Sequence, residues 1–476
     1  MASEIHVLLV AFASQGHLNP MVRLGKLLAS KGLQVTIATT ETARQRMLKF
    51  TNISCSSSSI TNTITVNSTT EIRLEFFSDG LSLQYDRMSN LDNYFDSLGK
   101  FGPQNLSSLI ENFSQGGKRK FSCIINNPFV PWVADVAEQL GIPCALLWIQ
   151  PCSLYAIYYR FYNHLNAFLA SQDNHVHVQL PGLPLLQYED LPSFVLPSNT
   201  FGSIPKLFSE MFKSMEKLKW VLGNSFYELE KDAVESMAEI CPIIPMGPLV
   251  PPILLGDMES IDDGVDMWKP DETCIAWLDK KQKSSVIYVS AGSIVVLSAR
   301  QMEQLALGLK KSNKSFLWVV KPPEFAAKDG AGELPAGFLD DLGDQGLVVQ
   351  WCPQTEVLIH PAISCFISHC GWNSTLEAVA SGVPMICFPQ WTDQPTNAKL
   401  ITDVFRTGVR FRGDQDGLVS KEEVQICIGE VIDGPKAGEF KQRCWELKEE
   451  TRKTVAHGGS SDAFTQRFVD ELIALH

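Results

Sequence analysis

A chain of 476 residues is too long for one hydrophobic core and points to two or three domains. Apolar residues make up 45% and charged residues 20%, the balance of a globular protein, and a formal charge of −13 argues against nucleic acid or an anionic membrane surface as partner. Twelve cysteines lie scattered in apolar runs without a CxxC pair, which points to buried free thiols in a reducing, cytoplasmic setting and offers no zinc-ligand spacing.

The first apolar run, IHVLLVAF, has no basic segment before it and reads as a strand rather than a signal peptide. LNPMVRLGKLLASKG follows as a helix and LQVTIATT as a strand. His17 stands in the turn between that first strand and helix, and Pro20 suits the helix's first turn. An imidazole near a helix N-terminus is held neutral and able to accept a proton. The segment SQGHLNP carries one glycine, not GxGxxG, which disfavours a dinucleotide oxidoreductase. Thr51 to Thr70, rich in Ser, Thr and Asn, reads as an exposed loop. FSCIINN (strand), PWVADVAEQLG (helix) and CALLWI (strand) continue an alternation that implies a parallel sheet with helices on both faces. No run reaches 18 consecutive apolar residues, so no membrane insertion is expected.

A Pro cluster and an acidic, Gly-containing stretch between Ile244 and Glu272 form the best linker in the chain. The alternation then restarts with SSVIYVSAGS, the helical SARQMEQLALGLKKS, and the strands SFLWVVK, GLVVQW, CFISH and VPMICF. Two α/β halves of similar size therefore face each other across a cleft. Residues 1–245 form the first, 246–272 the linker, 273–457 the second, and 458–476 a closing helix. In open α/β sheets ligands bind at the carboxyl ends of strands.

The densest chemistry lies between Trp351 and Gln394. The buried strand CFIS runs into Ser368-His369-Cys370-Gly371-Trp372-Asn373-Ser374-Thr375 and then into the helical LEAVAS. The free N–H groups of a helix start point into that turn, which suits a phosphate or diphosphate. Gly371 permits close backbone approach, and His369 and Ser374 supply donors. Trp351 offers a flat face for a base. Glu377 suits ribose hydroxyls, although Ser374 to Glu377 also matches a capping box. Asp393 and Gln394 suit the hydroxyls of a hexose. No Asp-x-Asp pair stands ready to hold a metal.

The whole stretch, opening on Trp and closing on Gln, resembles the donor signature of plant secondary-product UDP-glycosyltransferases. INNPFVPW, QGHLNP and RLGKLLASKG resemble the subgroup that esterifies hydroxycinnamic and hydroxybenzoic acids. The resemblance implies the GT-B fold, two Rossmann-like domains. The first would hold the acceptor and the second UDP-glucose, with the last helix packed back on the first. It implies a donor site of Gly292, Ser293, Trp351, Cys352, Gln354, His369, Gly371, Trp372, Asn373, Ser374, Glu377, Asp393 and Gln394. Gln at the last position goes with glucose. The family has Phe where this chain has Ala291. It also implies a monomer that needs no cofactor or metal, with His17 as general base for an inverting displacement. Where many members carry an Asp that orients the His, this chain has Asn127. An amide cannot stabilise an imidazolium by charge, so the base is weaker. A carboxylic acid needs no strong base, and a 1-O-glucose ester is therefore the first expectation. O-glucosylation of phenols, C-glucosylation and non-catalytic UDP-sugar binding follow in that order. Phe12, Phe129, Trp148 and Trp391 are candidate aromatic walls for the acceptor, and no cation stands out as a carboxylate clamp.

Overall fold

The computed structural model describes residues 5–50, 63–67, 70–87, 90–115, 120–166, 168, 177–199, 202–257, 271, 273–292, 295–321 and 330–476. Among these, the first half builds one sheet from β1 (His6–Val10), β2 (Gln34–Thr40), β3 (Thr63–Asn67), β4 (Thr70–Phe77), β5 (Cys123–Asn126), β6 (Cys144–Trp148), β7 (Trp220–Gly223) and β8 (Ile244–Pro245). Its strand order is β3-β4-β2-β1-β5-β6-β7-β8. The second half builds another from β9 (Val286–Ser290), β10 (Ser315–Val319), β11 (Gly346–Val349), β12 (Ile363–Ser368), β13 (Met385–Cys387) and β14 (Gly408–Arg410), in the order β11-β10-β9-β12-β13-β14. Two Rossmann-like α/β units result. Every pairing is parallel except β3 with β4.

The central strands β1, β6 and β9 are mostly apolar because both faces are covered. In β1, Leu8 and Val10 join one core while Val7 and Leu9 join the other. In β9, Val286 and Tyr288 face one side and Ile287 and Val289 the opposite one. The expected loop over Thr51 to Thr70 is corrected in part. Thr63–Asn67 forms β3, antiparallel to β4, and residues 51–62 lie outside those described. The β-branched Thr, Ile and Val of TITVN fit a strand, which a count of polar residues reads as loop.

The halves interlock. Phe226 and Leu229 precede the linker yet bury in the second half's core with Val250 and Leu254. The closing helix, Ser460–Ile473, returns to the first half. There Phe468, Val469 and Leu472 are buried, and Trp220 Nε1 donates to Glu471 Oε2 at 2.7 Å. No helix among the described residues is long and apolar enough to cross a membrane.

Candidate active site

Each sheet has one point where the strand order reverses. In the first it lies between β1 and β5, in the second between β9 and β12. A crevice opens outside the carboxyl ends of strands at such a point, and both candidate clusters sit there.

At the first, His17 rides the opening turn of the Gln15–Ser30 helix and Asn127 follows β5. His17 Nδ1 lies 2.8 Å from Asn127 Oδ1. The same oxygen accepts the backbone N–H of Phe129 at 3.2 Å, which identifies it as the amide oxygen. Nδ1 therefore carries the proton, and Nε2 is left with its lone pair. Burial pushes the His17 pKa down to about 4, against a smaller upward pull from Asn127. Asn127 is fully buried.

Aromatic rings enclose this pair. Phe129 meets the imidazole edge-on at 4.4 Å and Phe12 at 5.2 Å. Phe95 stacks on Phe12 at 5.7 Å, while Phe208 meets Phe129 at 5.7 Å and Tyr158 at 4.8 Å. Trp148 packs behind them, meeting Phe208 at 6.2 Å and Tyr158 at 6.1 Å. It is wholly buried, and its Nε1 donates to the Pro151 carbonyl at 2.9 Å. Trp391 is half-buried, two residues before Asp393.

The helix starts at Gln15, earlier than the sequence suggests, so Pro20 falls beyond its first turn. Proline has no N–H, and the Gly16 carbonyl lacks the donor a helix would give it. Asn373 Nδ2, from the other half, donates to that carbonyl at 3.0 Å.

At the second reversal point β12 ends at Ser368, and the Trp372–Ser381 helix begins after a turn with Cys370 at φ 65°. His369 fills the space beside two glycines. A Cβ on Gly292 would lie 2.6 Å from His369 Nε2, and one on Gly371 only 2.4 Å. Gly292 also sits at φ 80°, where glycine is at ease. Burial pushes the His369 pKa down to about 4, with a smaller opposing contribution from a Ser290 backbone hydrogen bond. Ser293 lies outside the described residues.

Gln354 opens the Gln354–Ile359 helix, just past Trp351. Its Nε2 donates to Ser374 Oγ at 3.0 Å and Glu377 Oε2 at 2.7 Å, and its Oε1 accepts Tyr288 OH at 2.9 Å. Glu377 Oε1 stands 3.7 Å from Arg23 Nη1, a contact across the cleft. The capping box does not form, since the helix is capped at Gly371. The side chains of Trp372 and Cys352 are engaged within the fold: Trp372 is buried with Nε1 donating to the Asn224 carbonyl at 2.7 Å, and Cys352 is buried with Sγ 3.3 Å from Tyr288 OH. The backbone of Trp372 opens the helix start.

Asp393 and Gln394 stand together at the start of the Gln394–Lys399 helix, both buried. Asp393 Oδ1 accepts Thr392 Oγ1 at 2.6 Å and Oδ2 accepts Asn397 Nδ2 at 2.7 Å. Its pKa is raised by burial, and hydrogen bonds including one from Gln150 oppose that rise. Gln394 Oε1 accepts the N–H groups of Gln390 (2.9 Å) and Trp391 (3.2 Å), so its amide N–H₂ is oriented outward as donor. No cluster of three or more His, Cys, Asp or Glu suited to a metal occurs among the described residues. A hollow of about 1220 Å³ lined by Arg406, Arg412, Glu430 and Arg443 shares no residue with either cluster.

The arrangement pairs a neutral, oriented base with a helix start able to meet a leaving diphosphate, and adds a polar segment for hydroxyls. Sequence reasoning missed Arg23, Tyr288, Gln150 and Asn224, because each joins the site through a contact distant in the chain.

A family model described as UDP-glucoronosyl and UDP-glucosyl transferase matches residues 254–443. The chain is 43% identical to limonoid UDP-glucosyltransferase of Citrus unshiu, over 99% of this chain and 90% of that protein. It is also 43% identical to a gallate 1-beta-glucosyltransferase of Punica granatum, over the same shares of 99% and 90%. Among solved structures, Os79 from O. sativa in complex with UDP is similar at a TM-score of 0.84 and 30% identity, covering 98% of this chain and 100% of that one.

Proposed function

The chain belongs to the UDP-glucuronosyl and UDP-glucosyl transferase family and is a UDP-glucosyltransferase of GT-B fold; from that premise we propose that its acceptor is a small phenolic carboxylic acid, which it converts to the 1-O-β-glucose ester. The observation that carries the acceptor class is the His17–Asn127 pair at 2.8 Å inside an aromatic cage. The pair leaves Nε2 of His17 free to take a proton. Its partner is a neutral amide, so the imidazolium that forms gains no charge partner. Burial lowers its pKa further, so this is a weak base, suited to a carboxylic acid that is already ionised near neutral pH rather than to a phenol, with a pKa of about 10, that must give up its proton. The gallate 1-beta-glucosyltransferase relative fits the same acceptor class.

The reaction runs as one displacement. The acid gives its proton to His17 Nε2, or arrives already ionised. A carboxylate oxygen attacks the anomeric carbon of UDP-glucose. The bond to the diphosphate oxygen breaks with inversion from α to β, and its electron pair leaves with UDP. Phosphate oxygens are met by His369, by the N–H groups at the start of the Trp372–Ser381 helix and by Ser374. Uracil stacks on Trp351, the ribose hydroxyls bond to Gln354 and Glu377, and the glucose hydroxyls bond to Asp393 and Gln394.

The test offers UDP-glucose with two acceptors: cinnamic acid, which has no phenol, and a flavonoid, which has no carboxyl group. The expected result is an alkali-labile product from the acid. Turnover of the flavonoid alone would sink the ester assignment.

A further inference from the structure

The Asp393–Gln394 segment is held by its own half through Gln390, Trp391 and Asn397 and also by bonds from the first half. Asp190, in the Tyr188–Asp190 turn of the connection between β6 and β7, is almost fully buried. Its Oδ1 lies 2.9 Å from Arg410 Nη1 on β14. Its Oδ2 accepts the Gln187 N–H at 3.0 Å and lies 3.5 Å from Lys399 Nζ. The Asp190 carbonyl accepts Thr396 Oγ1 at 2.6 Å, and the Ser193 N–H donates to the Thr392 carbonyl at 2.9 Å. Both ends of the Gln394–Lys399 helix are thus gripped from across the cleft. These bonds end on Thr392, Thr396, Lys399 and Arg410. The cross-cleft bonds at the phosphate turn, Asn373 to Gly16 and Trp372 to Asn224, come from other parts of the first half.

We propose that Asp190 is a positioning residue for the donor sugar, latching the 187–193 loop of the first half onto the Gln394–Lys399 helix so that Asp393 and Gln394 take their binding geometry only when the halves are docked. The inference rests on the reading of those two residues as glucose ligands. Its physical basis is that Asp393 and Gln394 open a helical run that continues through Leu400–Phe405, and that the cross-cleft bonds fall at its start, on Thr392 and Thr396, and at Lys399, so a shift of the loop moves the start of that run. The grip is a buried, hydrogen-bonded ion pair, the kind whose disruption is costly because it strands the remaining charges. The nucleotide end has separate anchors, so sugar and nucleotide affinity become separable quantities.

The experiment compares the binding of UDP and UDP-glucose, by calorimetry, to the full chain and to two variants. Asp190→Asn removes the charge that holds Arg410 and Lys399. Ser193→Pro deletes one N–H donor without changing charge. It fits the site because Pro192 is already extended at ψ 143° and Ser193 opens a 3-10 turn. We expect UDP-glucose affinity to fall roughly tenfold or more in Asp190→Asn and about fivefold in Ser193→Pro, with UDP affinity within about twofold of the parent. A parallel loss of both affinities, or no loss of either, would overturn the latch. If Asp190→Asn fails to fold, the split in Ser193→Pro decides alone. Failure of the donor reading shows separately, as an unaltered chain that binds UDP but gains nothing from the attached glucose.

Discussion

At the scale of single residues, the neutral amide at Asn127 is the most consequential choice in the molecule. Asn127→Asp would place a carboxylate against His17 Nδ1, where the amide oxygen now stands at 2.8 Å, and raise the imidazole's basicity. Turnover of phenolic acceptors should then rise about tenfold relative to carboxylic acids, read as a ratio of kcat/KM values. An unchanged ratio would mean that Asn127 does not govern acceptor class. His17→Ala should cost roughly 10²- to 10⁴-fold on any acceptor that must lose a proton, and less on a pre-ionised acid. The two depressed histidines also set a pH dependence. His17 and His369 both titrate near 4 when folded and near 6.5 when unfolded, so the unfolded chain binds more protons between those values. Their contribution to stability is full above about 6.5 and is lost as the pH falls toward 4. A urea midpoint at pH 5 should lie below that at pH 7.5. His17 and His369 were legible because each lies where an apolar strand passes into a helix, His17 in the helix's opening turn and His369 just before it. A motif records a residue's presence, not its direction: the Trp372 indole faces the core while its backbone opens the helix start.

At the scale of elements, the phosphate turn depends on empty space. Gly371→Ala would press a methyl against His369 Nε2, 2.4 Å away, and displace the ring. UDP binding should weaken by about 1–3 kcal/mol, measured by calorimetry. A second element is held from outside. The Cys152–Tyr162 helix, which carries Tyr158 of the aromatic cluster, receives its cap from Glu230. That buried carboxylate accepts the N–H groups of Cys152 and Ser153 at 2.9 Å each, and the Ser153 hydroxyl at 2.7 Å. Glu230→Ala should lower unfolding free energy by about 3 kcal/mol, seen as a shifted denaturant midpoint at unchanged slope. Such a cap has no local signature, since cap and helix lie far apart in the chain. Period and punctuation sufficed for the buried parallel strands, where apolar runs are unambiguous. They failed at β3, where Thr and Asn occupy an edge.

At the scale of the whole molecule, alternation in the sequence predicted two sheets, and the family resemblance implied a closing helix packed on the first; the Ser460–Ile473 helix buries Phe468, Val469 and Leu472 there. Neither signal revealed that Phe226 and Leu229 belong to the second core although they precede the linker. Removing residues 458–476 would uncover the pocket of Phe468, Val469 and Leu472. It should cost about 5 kcal/mol of stability, visible as a lower melting temperature of the truncated chain. The cross-cleft contacts of Asp190, Arg23 and Asn373 were equally hidden, because complementarity between two surfaces is not written along one strand of sequence.

Pro20 gives one of those contacts a kinetic meaning. It denies the Gly16 carbonyl an internal partner, so Asn373 competes only with solvent for it. Any parting of the halves hands that carbonyl to water, at a net difference of about 1 kcal/mol. This is a clutch rather than a weld. It engages the helix bearing His17 whenever the phosphate turn arrives, and it lets go at a penalty small enough to be met on every catalytic cycle.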